Sequence, residues 1–530
     1  MIKKENNLDA AACYAAFKAH DARFDGRIFM GVSSTGIYCR PVCRVKTPKE
    51  KNCSFHASAA AAEAEGFRPC LKCRPELAPG NSLMDASSIL ARKAALAIEA
   101  ENFPTGGLAE LAASLGVSDR HLRRAFAAEY GVSPVQYLQT RRLLLAKNLL
   151  TDTRLSITEA AMAAGFGSIR RFNDLFRKQY RLSPGGLRKQ GAQAPKQEEE
   201  GITLLLGYRP PYAWDELLSF FSGRAIPGVE NVSNGSYCRT VAVQNGGETL
   251  RGWFRVRNLP EKSALAVTLG TALLPVLPRL LARIRVLFDV NCEPFEIYER
   301  ISSLNERLPG MVAPGLRLPG CFDPFEMAVR AVLGQQITVK AAGTLAKRFA
   351  LTFGESVATP FADLTHTFPG YMDVVRLGRP VEDRFGPLGI IGARARSILA
   401  LAEALAEGRL TLAQHADPDA VRETLCSLPG FGPWTAEYIA MRALGWPDAF
   451  PHTDYGVKKA LAGLAPGEIL AMAEKWRPWR SYATIGLWSG LGKMEAEPKS
   501  TLEVEAKKSL KVKSKKNMEA KTKKGARHGG

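Results

Sequence analysis

Apolar residues change their spacing along the chain, and the changes mark out its parts. Up to about Pro79-Gly80, short apolar runs are interrupted by turn residues. From there to Lys189 the spacing is that of amphipathic helices, with Leu122, Phe126, Phe172 and Phe176 facing inward and basic residues outward. Residues 202–206 read as a strand, 214–221 as a helix, and 236–269 as short strands with Gly246-Gly247 at a turn. From about Ile297 to Gly490 the pattern is almost wholly helical, broken by Gly and Pro. The longest charge-free apolar stretch, 264–278, is shorter than the roughly 20 residues of a membrane span and reads as part of a buried helix. One unit repeats. Ser118, Leu122, Phe126, Tyr130, Ser133 and Pro134 recur as Ser168, Phe172, Phe176, Tyr180, Ser183 and Pro184, which predicts two copies of one helix-turn-helix.

Length adds a domain count: 530 residues at roughly 150 per domain predict three or four domains. A hydrophobic content of 46% gives each a core and excludes a disordered chain. Charge narrows the partner. The 72 Lys+Arg against 52 Asp+Glu leave +20, which suggests a polyanion such as nucleic acid. Residues 499–530 carry eleven Lys/Arg and three Glu and read as a disordered tail serving solubility or DNA tethering. A linker at 190–201 contains Pro195 and Glu198-Glu199-Glu200. The amino terminus has no secretory pattern, so a reducing cytoplasm is expected. There, six cysteines within the first 73 residues suggest metal more than disulfides.

Cys39-x3-Cys43 and Cys70-x2-Cys73 supply four thiolates in two close pairs, a set that suits tetrahedral Zn²⁺. A purely structural ion would fit that spacing too. Cys13 and Cys53 read as packing residues. The flanking segments Thr35-Gly36-Ile37-Tyr38-Cys39-Arg40-Pro41-Val42-Cys43 and Gly66-Phe67-Arg68-Pro69-Cys70-Leu71-Lys72-Cys73-Arg74-Pro75 resemble the amino-terminal domain of Ada proteins. The resemblance implies that Cys39, activated by zinc, accepts the methyl group of a DNA methylphosphotriester. Arg40, Arg44 and Lys46 stand where cations could hold the neighbouring phosphates.

In the first helix-turn-helix, Ser118 is expected to cap a helix bearing Arg120, His121, Arg123 and Arg124; in the second, Ser168 leads Arg170, Arg171, Asn173 and Arg177. A merely solvated Arg-rich face is the plain alternative. Gly165-Phe166-Gly167-Ser168-Ile169-Arg170-Arg171-Phe172 with Phe176 and Ser183-Pro184 resembles the AraC family of regulators, a module that follows the zinc domain in Ada proteins. Promoter DNA and RNA polymerase are its implied partners.

Leu428-Pro429-Gly430-Phe431-Gly432-Pro433-Trp434-Thr435-Ala436 reads as a helix-hairpin-helix, in which Gly430 and Gly432 make a tight turn whose N–H groups can grip a phosphate. Downstream, Asp454 precedes a helical run at 456–464 and would cap it in any event. Hairpin and aspartate resemble the helix-hairpin-helix DNA glycosylases. Arg330-Ala331-Val332-Leu333-Gly334-Gln335-Gln336 and Trp476-Arg477-Pro478-Trp479-Arg480-Ser481-Tyr482-Ala483 narrow the likeness to the AlkA type, 3-methyladenine DNA glycosylase II. By that resemblance Asp454 stabilises the cationic sugar formed as the base leaves. Trp434, Tyr438 and Trp488 line the base pocket, unless they are core, and Gln336 stands where a leucine wedge is known. Trp434 occupies the place of the Schiff-base lysine of bifunctional relatives, and no cysteine follows Cys426, so a monofunctional enzyme without an iron–sulfur cluster is implied. No Pro-Cys-His-Arg motif of an alkylguanine transferase occurs.

The expected architecture is multidomain. A small zinc-bound α/β domain (1–80) is followed by an all-α double helix-turn-helix (84–190) and a linker (191–201). An α+β, TATA-binding-protein-like domain (202–296), an all-α helix-hairpin-helix glycosylase domain (297–492) and the basic tail (493–530) complete it. The expected function is repair of phosphotriesters and alkylated bases together with activation of repair genes, by a monomer acting on damaged and promoter double-stranded DNA at the nucleoid, with no membrane contact. The alternative is a regulator whose glycosylase-like half is inactive and only binds DNA.

Overall fold

The structure, a computed structural model, describes residues 9–78, 89–101, 107–190, 201–308 and 310–496. The acidic run of the linker and the tail beyond residue 496 lie outside the described residues. Residues 493–496, expected to start that tail, belong instead to the last helix, Arg480–Ala496.

The amino-terminal unit is built on four short strands, β1 (Phe29–Val32), β2 (Ile37–Cys39), β3 (Cys53–His56) and β4 (Arg68–Pro69), in the order β3-β1-β2-β4. Only β2 and β4 run parallel, and this pairing brings the two cysteine pairs to one end of the sheet, where the Cys70 N–H donates to Tyr38 O at 3.0 Å.

The repeat resolves into recognition helices Asp119–Tyr130 and Ile169–Tyr180, joined through the 19-residue helix Pro134–Asp152. Ser118 and Ser168 cap the recognition helices, accepting from the N–H groups of His121 and Arg171, each at 3.3 Å. Such a cap is worth about 1 kcal/mol. Leu122, Phe126, Phe172 and Phe176 are wholly buried, as their spacing requires.

Residues 202–269 form an antiparallel sheet of β5 (Ile202–Gly207), β6 (Glu230–Ser233), β7 (Ser236–Asn245), β8 (Glu248–Leu259) and β9 (Ala264–Leu269), ordered β5-β9-β8-β7-β6. The turn falls at Gly246-Gly247 as expected, but β7 and β8 are long rather than short, with 10 and 12 residues. The apolar stretch 264–278 is not one helix. Its first six residues are β9, buried on both faces, and only after a 3-10 turn does the helix Leu277–Leu287 begin. A central strand covered on both sides and a buried helix share one composition, so apolarity alone could not separate them. Helix Pro294–Ile301 runs through the expected boundary at 296 and opens the helical domain.

The domains share cores. Phe172 and Phe176 belong to the same apolar cluster as Leu204 and Phe254 of the sheet. Between zinc unit and helix-turn-helix the contact is polar and buried: Lys147 Nζ meets Glu76 at 2.6 Å with both side chains 2% exposed. Glu63 accepts from Tyr38 Oη (2.9 Å), Thr140 Oγ1 (3.0 Å) and Tyr180 Oη (3.4 Å). Arg27 ties the zinc unit to Glu293 of the α+β domain at 3.1 Å.

Burial pushes the Glu63 carboxyl up to about 8, against hydrogen bonds that favour its ionised form. A carboxyl raised in the folded state contributes stability that is complete below its unfolded value and fades as pH climbs through the folded one. Glu63→Gln is therefore expected to melt with the wild type near pH 5 and above it at pH 9, as read by calorimetry. A variant that is less stable at pH 9 would show that the ionised carboxylate is the form the junction needs.

Candidate functional site

Two sites emerge, one at the cysteine cluster and one in the helical domain. The Sγ atoms of Cys39, Cys43, Cys70 and Cys73 all lie within 4.8 Å of one another. Tetrahedral Zn–S bonds of about 2.3 Å require sulfurs about 3.8 Å apart, so the four fit that ion. Cys39, Cys43 and Cys70 are buried, at 4 to 6% exposure, and Cys73 is half-buried. Contacts within the cluster, Cys39 foremost, pull the Cys70 thiol down and push Cys73 up, so a cation is what would let all four ionise together. The Arg40 N–H donates to Cys73 Sγ at 3.3 Å.

Arg40 itself corrects an expectation. Its guanidinium is buried, donating to both Asp25 oxygens and, at 3.0 Å, to Cys73 O, so it braces the cysteine loop and cannot hold a phosphate. Arg44 and Lys46 are exposed, as the expectation requires. Cys13 is buried against the cluster and Cys53 packs at its edge. On the recognition helices Arg120, Arg123, Arg124, Arg170 and Arg171 are all exposed. Arg123 is partly engaged, paired with Asp119 at 2.9 Å one turn earlier.

The second site is a cleft of about 1120 Å³ in the helical domain. Helices Pro418–Ser427 and Pro433–Arg442 form the hairpin. Asp454 caps helix Tyr455–Ala460, and its Oδ1 accepts from the N–H groups of Gly456 (2.8 Å) and Val457 (3.2 Å). The expected cap is therefore in place. Trp488 Nε1 donates to Oδ1 at 2.8 Å and Trp434 Nε1 to Oδ2 at 3.0 Å. Trp488 comes this close because residue 456 is glycine: a Cβ there would lie 2.7 Å from the indole ring. Trp434 stacks on Tyr438 one turn along (5.5 Å, 18°), and Tyr438 is 6.2 Å from Trp488. All three aromatics predicted for the pocket line the cleft.

The packing that supports Trp488 and brings Arg224 to the cleft was not legible in the sequence. Phe220, from helix Trp214–Ser222 of the α+β domain, lies nearly parallel to Trp488 (6.5 Å, 14°). Arg224 stands 3.8 Å over the Phe220 ring, with its guanidinium pushed down to about 10 by burial. Arg442 packs 4.8 Å from Phe220 on another side and donates to Tyr438 Oη at 3.0 Å. Phe220 and Arg224, some two hundred residues before Arg442 and the hairpin helix it ends, carry no local signal of this meeting.

At the cleft mouth Gln336 is exposed, with φ of 56°, a strained value that turns the chain sharply between two helices. Its neighbour Gln335 donates to Gly430 O (2.9 Å) and Thr435 Oγ1 (3.1 Å), joining this turn to the hairpin. Of the two hairpin glycines only Gly430 has positive φ, 80°. Gly432, expected to share the tight turn, is instead the residue before helix Pro433–Arg442 with φ −100°, and a Cβ there would meet nothing within 4 Å.

That contrast sets an expected outcome. Gly430→Ala places a side chain in the left-handed region, costing roughly 1–2 kcal/mol, and brings its Cβ to 2.1 Å from Ser397 Oγ. It should lower the denaturation midpoint well below that of Gly432→Ala. Equal losses in parallel denaturation curves would contradict the assignment of the turn.

Known protein families match three segments of the chain. The metal binding domain of Ada matches residues 12–76, a helix-turn-helix domain 111–190 and the AlkA N-terminal domain 203–323. DNA-3-methyladenine glycosylase 2 of Escherichia coli is 36% identical over 288 residues, 53% of this chain and 95% of its own. The bifunctional transcriptional activator/DNA repair enzyme Ada of Escherichia coli is 32% identical over 170 residues, 31% of this chain and 45% of its own. The probable bifunctional transcriptional activator/DNA repair enzyme AlkA of Mycobacterium tuberculosis is 37% identical over 492 residues, 91% of this chain and 97% of its own. With the likeness running through zinc cluster, paired helix-turn-helix and hairpin cleft alike, the chain belongs to the family of AlkA-type bifunctional transcriptional activator/DNA repair enzymes.

Proposed function

We propose that the protein removes alkylated bases such as 3-methyladenine from double-stranded DNA as a monofunctional glycosylase. We further propose that it accepts methyl groups from DNA methylphosphotriesters on Cys39 and activates repair genes through its helix-turn-helix pair. The observation that carries the enzymatic reading is the Asp454 carboxylate held by two indole N–H groups within the aromatic cleft.

When the bond between C1′ and the base nitrogen breaks, its electron pair leaves with the base and positive charge develops on the sugar. Asp454 supplies the opposing charge inside a site where water is replaced by indole rings. Oδ1 already has three donors and Oδ2 one, so Oδ2 keeps the coordination to meet the sugar. Trp434, Tyr438 and Trp488 offer electron-rich faces to a cationic purine extruded from the stack. Exposed Gln336 is positioned to fill the gap the base leaves, and Gly430 and Gly432 present backbone to a phosphate. Water adds at C1′, leaving an intact abasic site, because Trp434 stands where a lyase would need an amine.

At the other site, bound zinc would keep the cysteines as thiolates at neutral pH. Sulfur of Cys39 forms a bond to the methyl carbon as the carbon–oxygen bond breaks, and the triester leaves as a phosphodiester anion. Arg44 and Lys46 hold flanking phosphates. Arg120, Arg123, Arg124, Arg170 and Arg171 engage promoter DNA, next to RNA polymerase, from a monomer in the cytoplasm near the nucleoid.

Asp454→Asn is expected to slow release of methylated purines at least about a hundredfold while zinc content and duplex binding persist. Undiminished release would refute the role, and a covalent adduct trapped by borohydride with the wild type would refute the monofunctional reading. Four thiolates around Zn²⁺ carry −2, and methylation leaves −1. A unit charge at about 4 Å is worth roughly 1–4 kcal/mol between bulk water and a protein surface, so the methylated protein should bind promoter DNA about tenfold or more tightly. Peptide mass spectrometry after exposure to methylated DNA should place the methyl on Cys39, and Cys39→Ser should abolish it. A methyl found on half-buried Cys73, or unchanged promoter affinity at fixed salt, would overturn this account.

A further inference from the structure

Helix Pro134–Asp152 of the helix-turn-helix unit and helix Leu277–Leu287 of the α+β domain flank a cleft of about 90 Å³. Its walls are mixed: Leu205 and Leu281 stand beside three guanidinium groups, Arg141, Arg142 and Arg285, and two carboxylates, Glu76 and Glu99. The carboxylates nearby are largely committed. Glu99 accepts from Tyr137 Oη at 2.6 Å and lies 3.5 Å from Arg141. Glu76 is held by Lys147 at 2.6 Å and Arg74 at 3.0 Å. Among the described residues Arg285 makes no close ion pair, and its buried Nη1 meets no hydrogen-bond acceptor. Burial, then the Arg141 charge, pushes Arg285 down to about 10 against a weaker pull from Glu99, and burial lowers Arg142 with a contribution from Arg171. A guanidinium taken out of water without a hydrogen-bonded counter-charge is unfavourable.

We propose that this cleft binds a phosphate-sized tetrahedral oxyanion, held by Arg285 with Arg141 and Arg142 at the seam between the regulatory and glycosylase halves. The chemistry fits on three counts. Guanidinium forks bind oxyanions through paired N–H donors, which would satisfy the orphaned Nη1. The volume equals about three waters at roughly 30 Å³ each, enough for inorganic phosphate and too little for a nucleotide. The apolar side chains among the lining, Leu205 and Leu281 included, lower the local dielectric and strengthen the contact. Because Arg141 and Arg142 belong to one domain and Arg285 to the other, the anion would tie the two together.

The test uses the full-length zinc-loaded protein. Inorganic phosphate, titrated calorimetrically at constant ionic strength with chloride as control, is expected to saturate one site per chain and to raise the melting temperature. Arg285→Met should abolish binding, and Arg142→Gln should weaken it at least tenfold. In phosphate-free buffer Arg285→Met should melt at or above the wild type, and in phosphate the order should reverse. No saturable phosphate binding, equal binding by Arg285→Met, or a variant that is less stable without phosphate would each overturn the proposal. A second arm distinguishes the other source of this chemistry: duplex affinity in phosphate-free buffer is expected to be the same for wild type and Arg285→Met. Loss of duplex affinity in the variant, without phosphate binding by the wild type, would assign the guanidinium to the DNA backbone and refute a small-anion site.

Discussion

A carboxylate can sit inside an aromatic cleft only where N–H donors stand in for the water it has lost, and the arrangement of the carboxyl half follows from that demand. Asp454 takes two donors from the first turn of its own helix and two from indoles that arrive from different directions, one on the hairpin and one on the final helix. Each indole is then fixed by its neighbours. Trp434 lies on Tyr438, Tyr438 is held by Arg442, and Trp488 packs on Phe220. The glycine at 456 belongs to the same requirement, since any side chain there would displace Trp488 from the carboxylate. Charge, stacking and close backbone approach are thus one problem solved together.

The α+β domain is part of this solution. It supplies Phe220 and Arg224, and a buried network of Arg239, Glu230, Glu326 and Arg330 binds its sheet to the helix that leads into the Gln335-Gln336 turn. Arg330 also donates to Arg224 O, so the group that braces the interface also holds the end of the cleft wall. Buried ion pairs of this kind add little net stability but strongly penalise any arrangement that separates them. Their value here is in specifying how sheet and helices meet.

The amino-terminal half is joined by similar means. The loop carrying Cys73 continues directly into Arg74 and Glu76, which engage Asp152 and Lys147 of the helix linking the two recognition helices. Ion pairs thus join the loop of the cysteine cluster to the helix-turn-helix unit, and Glu63 adds hydrogen bonds to Thr140 and Tyr180. The second recognition helix in turn shares its core with the sheet of the enzyme half.

Cysteine spacing, the fifty-residue repeat, the hairpin and Asp454 were legible in the sequence because each is a short-range pattern. A pair of cysteines, a capped helix or a glycine turn needs only its immediate neighbours to take shape. What such patterns leave open is direction and company. Arg40 reads as a cation beside a reactive thiol, yet Asp25, fifteen residues away, turns it inward. Gly430 and Gly432 look alike in the chain and differ only once the helices fix their dihedrals. The stretch 264–278 is apolar enough for strand or helix, and the sheet on one side and helices on the other divided it between the two. Phe220, Arg224 and Arg285 gained their positions from long-range packing alone. The sequence by itself determined which chemical groups are present and how they are locally presented; tertiary structure decided which of them face one another, because burial and charge pairing act between residues that the chain keeps far apart.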